Sequence, residues 1–574
     1  MKSFGLFFSY FAASMQRRNL RFLVGLLAVF AALVAVFTVV FHLIMDYEDQ
    51  SHSWATGVYW TLVTMTTLGF GDITFQSDLG RLFSVVVLLS GSLFLLVLLP
   101  FAFIQFVFTP WMAMREAARA PRQLPEDTSG HVILTMLGAI EETLIRRAVH
   151  AGVPYVVIAG ALEEALQLHD RGYSVLFGEV DHPDTYASAR VNNAALVVAT
   201  RGDMANTNIT FTVRELAPGV PIVATANDVA AIDNLELAGA DKVLRLGDML
   251  GESMADRALH PGRAHVIGRF AGLRIAEATT AGTDLVGSTL AAVRLREQTG
   301  TGVLGVWQRG RYTTALADTV LGESDLLLLA GTPEQLARYD AAHAPPPTEP
   351  AGTIIIGGGR VGRAAGALLA EAGVEYRIVE QRPERIRDPD TYVLGDASEL
   401  DVLERAGIAD AATVIVTTHD DDVNVYLSIY CRRLRDDLRI IARAIHDRNV
   451  STLYRAGADS VLSYASIGAT AIWNHLYPND LVLLADGLSA FRRPTPPALA
   501  GRTLADSNLG RDTGCNLVGI RLDSEVIGNP EPSTVLPANG ELVLIGDADA
   551  EARFSARYPP PRRRWSNPIR SRTR

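Results

Sequence analysis

Trp54-Ala-Thr-Gly-Val-Tyr-Trp60-Thr-Leu-Val-Thr-Met-Thr66 runs without a break into Thr67-Leu68-Gly69-Phe70-Gly71-Asp72. The first part is half apolar and rich in aromatics, a short helix dipping into a membrane; the second carries glycine at alternate positions. Apolar runs flank the loop, Phe22 to Met45 and Leu82 to Phe108. Each exceeds the ~20 residues that a helix needs to cross hydrocarbon. The first is too long for a signal-peptide core and lacks a small-residue cleavage pattern. Pro100 removes a backbone donor inside the second and predicts a bend there. Irregular backbone at membrane depth survives only where protein covers it or where it lines a pore. Alternate glycines allow backbone conformations closed to other residues, so successive carbonyls can turn toward one axis. Four such loops would build rings of oxygens that replace the water around a dehydrated cation, with the Thr67 hydroxyl adding an inner ring. The short helix would direct its negative C-terminal end toward the ion path.

Flanking charge sets the orientation. Lys2, Arg17, Arg18 and Arg21 precede the first span, and Arg115, Arg119 and Arg122 follow the second. The loop between them holds Asp46, Glu48, Asp49, Asp72 and Asp78 against Arg81. The positive-inside tendency puts both termini in the cytoplasm and the acidic loop outside, where it concentrates cations. The 574-residue chain carries 52 basic and 63 acidic residues, a net charge of −11, which argues against a nucleic-acid partner. Its two cysteines, Cys431 and Cys515, cannot form a disulfide framework and read as buried thiols in a reducing compartment.

Thr64-Met-Thr-Thr67-Leu68-Gly69-Phe70-Gly71-Asp72 resembles the potassium-channel signature, with Leu and Phe where Val and Tyr are commonest. The resemblance implies a selectivity filter and potassium as the permeant ion. A filter needs four loops and the chain has one, so a homotetramer is implied. No arginine-rich voltage-sensing helix is present, so voltage is not the expected stimulus. Gly91, near the middle of the second span, reads either as a gating hinge or as a point of close helix packing.

After a short linker the chain alternates strand-like and amphipathic segments, as in a doubly wound parallel sheet. Ala344-Pro-Pro-Pro-Thr-Glu-Pro350 interrupts the pattern, which then restarts. Ala151-Gly-Val-Pro-Tyr155 matches Ala372-Gly-Val-Glu-Tyr376, Leu196-Val-Val-Ala-Thr200 matches Thr413-Val-Ile-Val-Thr417, and Ala238-Gly-Ala-Asp241 matches Ala456-Gly-Ala-Asp459. The nearly constant offset indicates two copies of one domain, each followed by a smaller β-rich segment. The arrangement resembles the RCK family, domains that regulate potassium conductance. It implies a two-helix pore module, all-α with a re-entrant loop, followed by two α/β Rossmann-like RCK domains, each with a small α+β C-terminal lobe. The expected division is 1–18 N-terminal segment, 19–110 pore domain, 111–130 linker, 131–271 first N-lobe and crossover, and 272–341 first C-lobe. It continues with 342–351 linker, 352–480 second N-lobe, 481–557 second C-lobe and 558–574 basic tail. Four chains would place a ring of eight RCK domains beneath the pore.

Only the second copy keeps a dinucleotide fingerprint. Thr353-Ile-Ile-Ile-Gly357-Gly358-Gly359-Arg360-Val361-Gly362 is a strand, G-x-G-x-x-G and a helix start. Gly357 makes the tight turn, Gly359 lets a pyrophosphate approach the backbone, and Gly362 permits close helix packing. Glu380 ends the next strand, suitably placed for ribose hydroxyls. Gly395-Asp396-Ala397-Ser398 resembles the family's adenine-side loop. Arg360 and Arg382 read as phosphate contacts or as solvent-exposed arginines. In the first copy Met136, Gly138 and Glu141 fall at the three glycine positions and Ala159 at that of Glu380. Glu141 would repel a phosphate, so no dinucleotide is expected there. Two acidic runs are candidate divalent sites, with Ca2+ as a possible ligand: His419-Asp420-Asp421-Asp422, and Glu179-Val-Asp181-His182-Pro-Asp184.

The reading that unites these features is a potassium-selective channel of a prokaryotic cell membrane, multi-pass and in contact with lipid. Its gating ligand is a small molecule, NAD or an adenine nucleotide, and it is not an enzyme. A non-selective cation channel is a second reading. A membrane-tethered NAD-dependent oxidoreductase would need an acid–base group beside the nicotinamide, and no His or Lys stands in a matching context.

Overall fold

The computed structural model describes residues 17–109, 112, 119–270, 273–308, 311–323, 325–345, 352–477, 483–485, 488–522 and 525–559. Residues 1–16 of the N-terminal segment, most of 110–118 in the linker, the proline-rich 346–351 and the tail from 560 onward lie outside them. So do Lys2 and Arg115 of the orientation argument. The described chain divides into two compact units, Met1–Pro121 and Arg122–Arg574.

The first unit holds helices α1 (Arg17–Tyr47), α2 (Trp54–Met65) and α3 (Asp78–Ser92). Among the described residues, Val24–Tyr47 and Asp78–Phe106 are the two stretches long and apolar enough to cross a membrane. Their outward faces are apolar and exposed, as lipid-facing helices require, and the interior is built from Phe37, Phe41, Ile44 and Met45 of the first span, Trp60 and Met65 of the re-entrant helix, and Phe75 and Val87. Phe41, Trp60 and Phe75 pack tilted and edge-to-face into an aromatic core with ring centroids 5.0–5.6 Å apart, and Phe41 and Met65 are fully buried. Around Pro100 the inner helix widens. Leu93–Leu98 and Ile104–Phe108 are π-helical, and the amide of Leu99 bonds to the carbonyl of Phe94, five residues back. Proline has no N–H to give, and the wider turns re-space the ladder around the gap.

The second unit contains two copies of one fold. In the first, strands β1–β6 (Val132–Leu134, Tyr155–Ala159, Val175–Phe177, Leu196–Ala199, Ile222–Thr225, Lys242–Leu244) form a parallel sheet in the order 3-2-1-4-5-6. Helix α4 (Ala139–Ala151) follows β1, α5 (Asp203–Leu216) follows β4, and the crossover helix α6 (Leu246–Leu259) follows β6. Strands β7–β11 (His265–Phe270, Leu273–Thr279, Gly302–Gln308, Arg311–Thr314, Leu326–Gly331) make an antiparallel C-lobe, closed by α7 (Pro333–His343). The second copy repeats the plan. Strands β12–β17 (Thr353–Ile356, Tyr376–Glu380, Tyr392–Leu394, Thr413–Val416, Arg439–Ala444, Ser460–Ser463) take the same order, with α8 (Arg360–Glu371), α9 (Asp421–Leu434) and crossover α10 (Tyr464–Leu476). Strands β18–β22 (Leu483–Ala485, Leu488–Pro494, Asn516–Leu522, Glu525–Gly528, Glu541–Asp547) and α11 (Ala548–Arg557) complete its lobe. Both central sheets are continuous apolar runs, buried on two faces as parallel strands must be.

Two expected boundaries move. The first C-lobe begins at His265 rather than at 272, because β7 leaves the crossover helix and pairs at once with β8. The lobe ends at His343, beyond 341. The second half of the 111–130 linker is docked on the first copy and is not a free tether. The Leu124 amide bonds to the Ser188 carbonyl at 3.0 Å, the Gly130 amide to that of Asn193 at 2.8 Å, and the Arg122 guanidinium lies over the Phe177 ring.

The copies pack on each other reciprocally, α4 with α10 and α6 with α8. Small residues make this possible: a Cβ on Gly251 would lie 2.3 Å from the Val361 carbonyl. Asp447, 5% exposed, joins them: its carboxylate accepts from Thr143 and Arg146 of the first copy, both at 2.7 Å, and from Ser463 and Ser466 of the second. Removing Arg146 would leave a buried carboxylate without its counter-charge, so this contact ties the two copies together.

Candidate functional site

The candidate filter loop, Thr67 to Asp72, is built from the end of α2. Amides of Leu68 and Gly69 bond to the Val63 carbonyl, which turns the chain out of the helix. Thr67, Gly69 and Gly71 then take φ of 62°, 51° and 73°. Left-handed backbone at every second residue is the alternation that turns successive carbonyls to one side. Thr67 adopts it without being glycine, a strain found mainly where function demands it. The outer end is pinned from α2: Tyr59 Oη donates to Asp72 at 3.1 Å, Trp60 Nε1 donates to the Ile73 carbonyl at 3.2 Å, and the Tyr59 and Phe70 rings stack. Glu48 accepts from the amides of Gln76 and Ser77, tying the first span to the start of α3. In the single chain Leu68 and Phe70 stay exposed at 60% and 64%. Gly91 packs against Met65, at the base of the filter.

In the second unit, Gly357 has φ +108°, closed to other residues, and a Cβ on Gly362 would lie 2.0 Å from the Gly357 carbonyl. The tight turn and the close helix approach assigned to these glycines are therefore required by the geometry. A Cβ on Gly359 would meet only His419 Nε2, at 3.3 Å, so the start of α8 is open. Gly358 and Val361 are buried beneath it. Glu380, 5% exposed, accepts from the amides of Gly358 at 2.8 Å and Arg382 at 2.9 Å, with Arg385 3.8 Å away. Asp396 accepts from the amide of Ser398 and from Gln381, and Ala397 is buried beside it. Arg360 and Arg382 are exposed at the rim. The cradle is thus an uncapped helix N-terminus with arginines on three sides, chemistry suited to a pyrophosphate.

The sequence reading missed three members. His419, weighed only as part of an acidic run, faces Gly359. Arg443 comes from β16, 24 residues away, and reaches His419 Nδ1 at 3.2 Å. Arg385 closes the side near Glu380. Only the fold brings these together, although the strand–loop–helix position of His419 was a usable signal.

The first copy fills the equivalent position itself. Glu141, 2% exposed, accepts from the Gly138 amide at 2.9 Å and from the Thr200 hydroxyl, so its carboxylate lies on the helix N-terminus where a phosphate would go. Burial pushes its pKa up, against those hydrogen bonds.

The acidic runs do not form metal centres: among the described residues no three His, Cys, Asp or Glu groups come together to hold an ion. Asp420 caps α9, accepting from the amides of Asp422 and Val423. Asp421 accepts from the amides of Ile445 and His446 and from Asn449, and Asp422 is exposed. Asp203, the matching residue of the first copy, ties Asn227 and Asp228 in the same way. The tie is therefore a frame element of the fold. Asp181 accepts from Asn208 Nδ2 at 3.4 Å, and Glu179 contributes its backbone carbonyl to the His182 amide.

The fold and these two sites define a two-helix pore protein with tandem regulatory domains. The ion-channel family matches residues 28–107, the TrkA-N domain 132–246 and 353–464, and the TrkA-C domain 275–343 and 488–557. A solved structure, "GsuK channel bound to NAD", is 37% identical, with a TM-score of 0.55 over 94% of this chain and 99% of that one. The chain belongs to this family of potassium channels with tandem RCK domains. "Probable potassium channel protein 2" of Methanocaldococcus jannaschii is 24% identical over 301 residues, 49% of this chain and 86% of that protein. "Ktr system potassium uptake protein C" of Bacillus subtilis is 27% identical over 213 residues, 35% of this chain and 95% of that protein. The chain is accordingly a membrane protein.

Proposed function

We propose that four copies assemble around one pore, with both termini in the cytoplasm, and that a nucleotide such as NAD binds the second-copy cradle and gates potassium flow. The observation that carries this is the contrast between the copies: one helix N-terminus is open and ringed by arginines, the other is filled by Glu141. The NAD named for the 37% identical channel supports the same ligand class. Equivalent helices of both copies expose apolar side chains, Met204 and Phe211 on α5 and Val423, Tyr426 and Ile429 on α9, surfaces suited to neighbours in a ring of eight domains. No bond is made or broken. Moving a gate from 1:99 to 99:1 open takes about 5.5 kcal/mol of differential binding, about 1.4 kcal/mol per site over four sites, or about a tenfold preference each. The docked segment after Arg122 would carry the change toward the inner helices.

The test is potassium flux in proteoliposomes with NAD, NADH, ADP, ATP and Ca2+ added singly, with reversal potentials under potassium and sodium gradients. A nucleotide-dependent, potassium-selective flux that loses its nucleotide response in Gly359→Asp supports the proposal. Flux indifferent to every nucleotide overturns the gating assignment, and equal permeability to sodium overturns the selectivity.

A further inference from the structure

His419 and Arg443 form a pair whose protonation the geometry fixes. Arg443 Nη1 lies 3.2 Å from His419 Nδ1. A guanidinium nitrogen only donates, so Nδ1 must accept, and the ring proton belongs on Nε2. Nε2 is the atom that faces Gly359, where the open helix start admits a ligand. Arg443 is itself 4% exposed, makes no ion pair among the described residues, and leaves Nε without a partner. Its remaining contact is the face of Tyr464, the first residue of α10, with 4.9 Å from guanidinium carbon to ring centroid. A buried cation so lightly satisfied is costly, and an anion beside it offsets that cost.

The groups around the imidazole are nearly all cationic: Arg360 from α8, Arg382 and Arg385 from the segment after β13, and Arg443 from β16. Glu380 is turned to backbone amides, and Asp420 and Asp421 are occupied as caps and ties. One edge of His419 stays exposed. Partial burial of the ring, and then these four arginines, push its pKa down to about 4. The first copy has neither partner: Arg201 stands in the place of His419 and donates to the Thr135 carbonyl, and Thr225 stands in the place of Arg443.

We propose that His419 donates a hydrogen bond from Nε2 to a phosphate oxygen of the bound nucleotide, held in that tautomer by Arg443. The proposal rests on the nucleotide reading of the cradle and adds a residue that the glycine fingerprint does not contain. His419 is a binding residue, and Arg443 is its positioning residue.

The test is calorimetric titration of NAD into the full-length, detergent-solubilised channel. His419→Phe should weaken binding about tenfold or more, and His419→Gln, whose amide can accept from Arg443 and still donate, should recover most of it. Wild-type affinity should be nearly flat between about pH 6 and pH 8. In Arg443→Met the bond that fixes the tautomer is lost while burial and three arginines remain around the ring, so binding should weaken severalfold across that range, and Arg443→Lys, which can still donate to Nδ1, should recover most of it. His419→Phe binding as tightly as wild type, or Arg443→Met binding as tightly as wild type, overturns the proposal while leaving the nucleotide site standing. No heat in wild type overturns the site itself. Melting curves accompany each variant, and because His419 is exposed its two substitutions decide the matter if Arg443→Met does not fold.

Discussion

A Cβ on Gly91 would lie 2.4 Å from the Cα of Met65 and 2.5 Å from its carbonyl oxygen. The obstacle is backbone, so no rotamer change relieves it. The inner helix therefore touches the re-entrant helix at the residue from which the filter departs. Of the two readings open for Gly91, close packing has a direct physical cause here. Gly91→Ala should force the two helices apart, at a cost of about 1–3 kcal/mol. The expected outcome is a lower melting temperature together with weaker discrimination against sodium, read as a shift in reversal potential under mixed ions. Unchanged values of both would mean that the contact does not support the filter.

The fingerprint glycines should separate by mechanism. Gly362→Ala puts a methyl 2.0 Å from the Gly357 carbonyl and should lower stability as well as nucleotide binding, because α8 must leave the sheet. Gly359→Asp meets only the tip of His419 and has φ of −71°, ordinary for any residue. It should melt near wild type and still lose NAD binding through charge repulsion. Thermal melts beside titrations check the split, and equal melting losses in both would refute it.

Glu141 gives a pH-dependent prediction. Burial raises its pKa in the folded state, so the charged form carries a penalty. For an acid raised on folding, stability is highest below the ordinary carboxylate range, about pH 4–4.5, and falls as pH climbs through the raised value. Gln at this position can still accept from Gly138 and donate to the Thr200 hydroxyl. Glu141→Gln should therefore melt no lower than wild type at about pH 7.5, with any advantage shrinking toward about pH 5. A variant that is less stable at the higher pH would show that the charge itself is needed.

Local sequence revealed what local sequence controls. The two spans, the alternating glycines and the order of strand, glycine turn and helix are set within windows of ten to thirty residues, and the repeat shows as short local matches recurring at one nearly constant offset. The fold-dependent parts were hidden. Arg443 reaches His419 across two strands of a sheet, and Gly91 meets Met65 across two helices. Asp421 looked like a metal ligand because an acidic run in isolation cannot reveal that its carboxylate is already bonded to amides 24 and 25 residues away. The start of the first C-lobe was itself signalled by the Pro261-Gly262 turn after the crossover helix, where Gly262 has φ +76°; what local sequence does not show is that β7 pairs at once with β8.

That reassignment of Asp421 has its own test. Asp421→Ala leaves the amides of Ile445 and His446 without their buried acceptor and should cost on the order of 3 kcal/mol. Millimolar Ca2+ should move the melting temperature of neither wild type nor variant through this run. A calcium-dependent rise in wild type that disappears in Asp421→Ala, with the apo proteins equally stable, would restore the metal reading.

The exposed helix faces bear on assembly. Phe211 on α5 and Ile429 on α9 are 53% and 45% exposed, at corresponding helices of the two copies. Each is already about half covered, so burying the rest gains roughly 1 kcal/mol per side chain. In the proposed ring the gain repeats at every equivalent contact, so small losses per site multiply across the assembly. A charge there would need to be buried unpaired against the neighbour. Phe211→Asp and Ile429→Asp, singly and together, should therefore weaken the oligomer while leaving each chain folded. Light scattering of the detergent-solubilised protein should read the loss of tetramer, and circular dichroism the retained fold. A double variant that remains fully tetrameric, with unchanged nucleotide response, would mean that these faces do not carry the ring and that the pore helices alone hold four chains together.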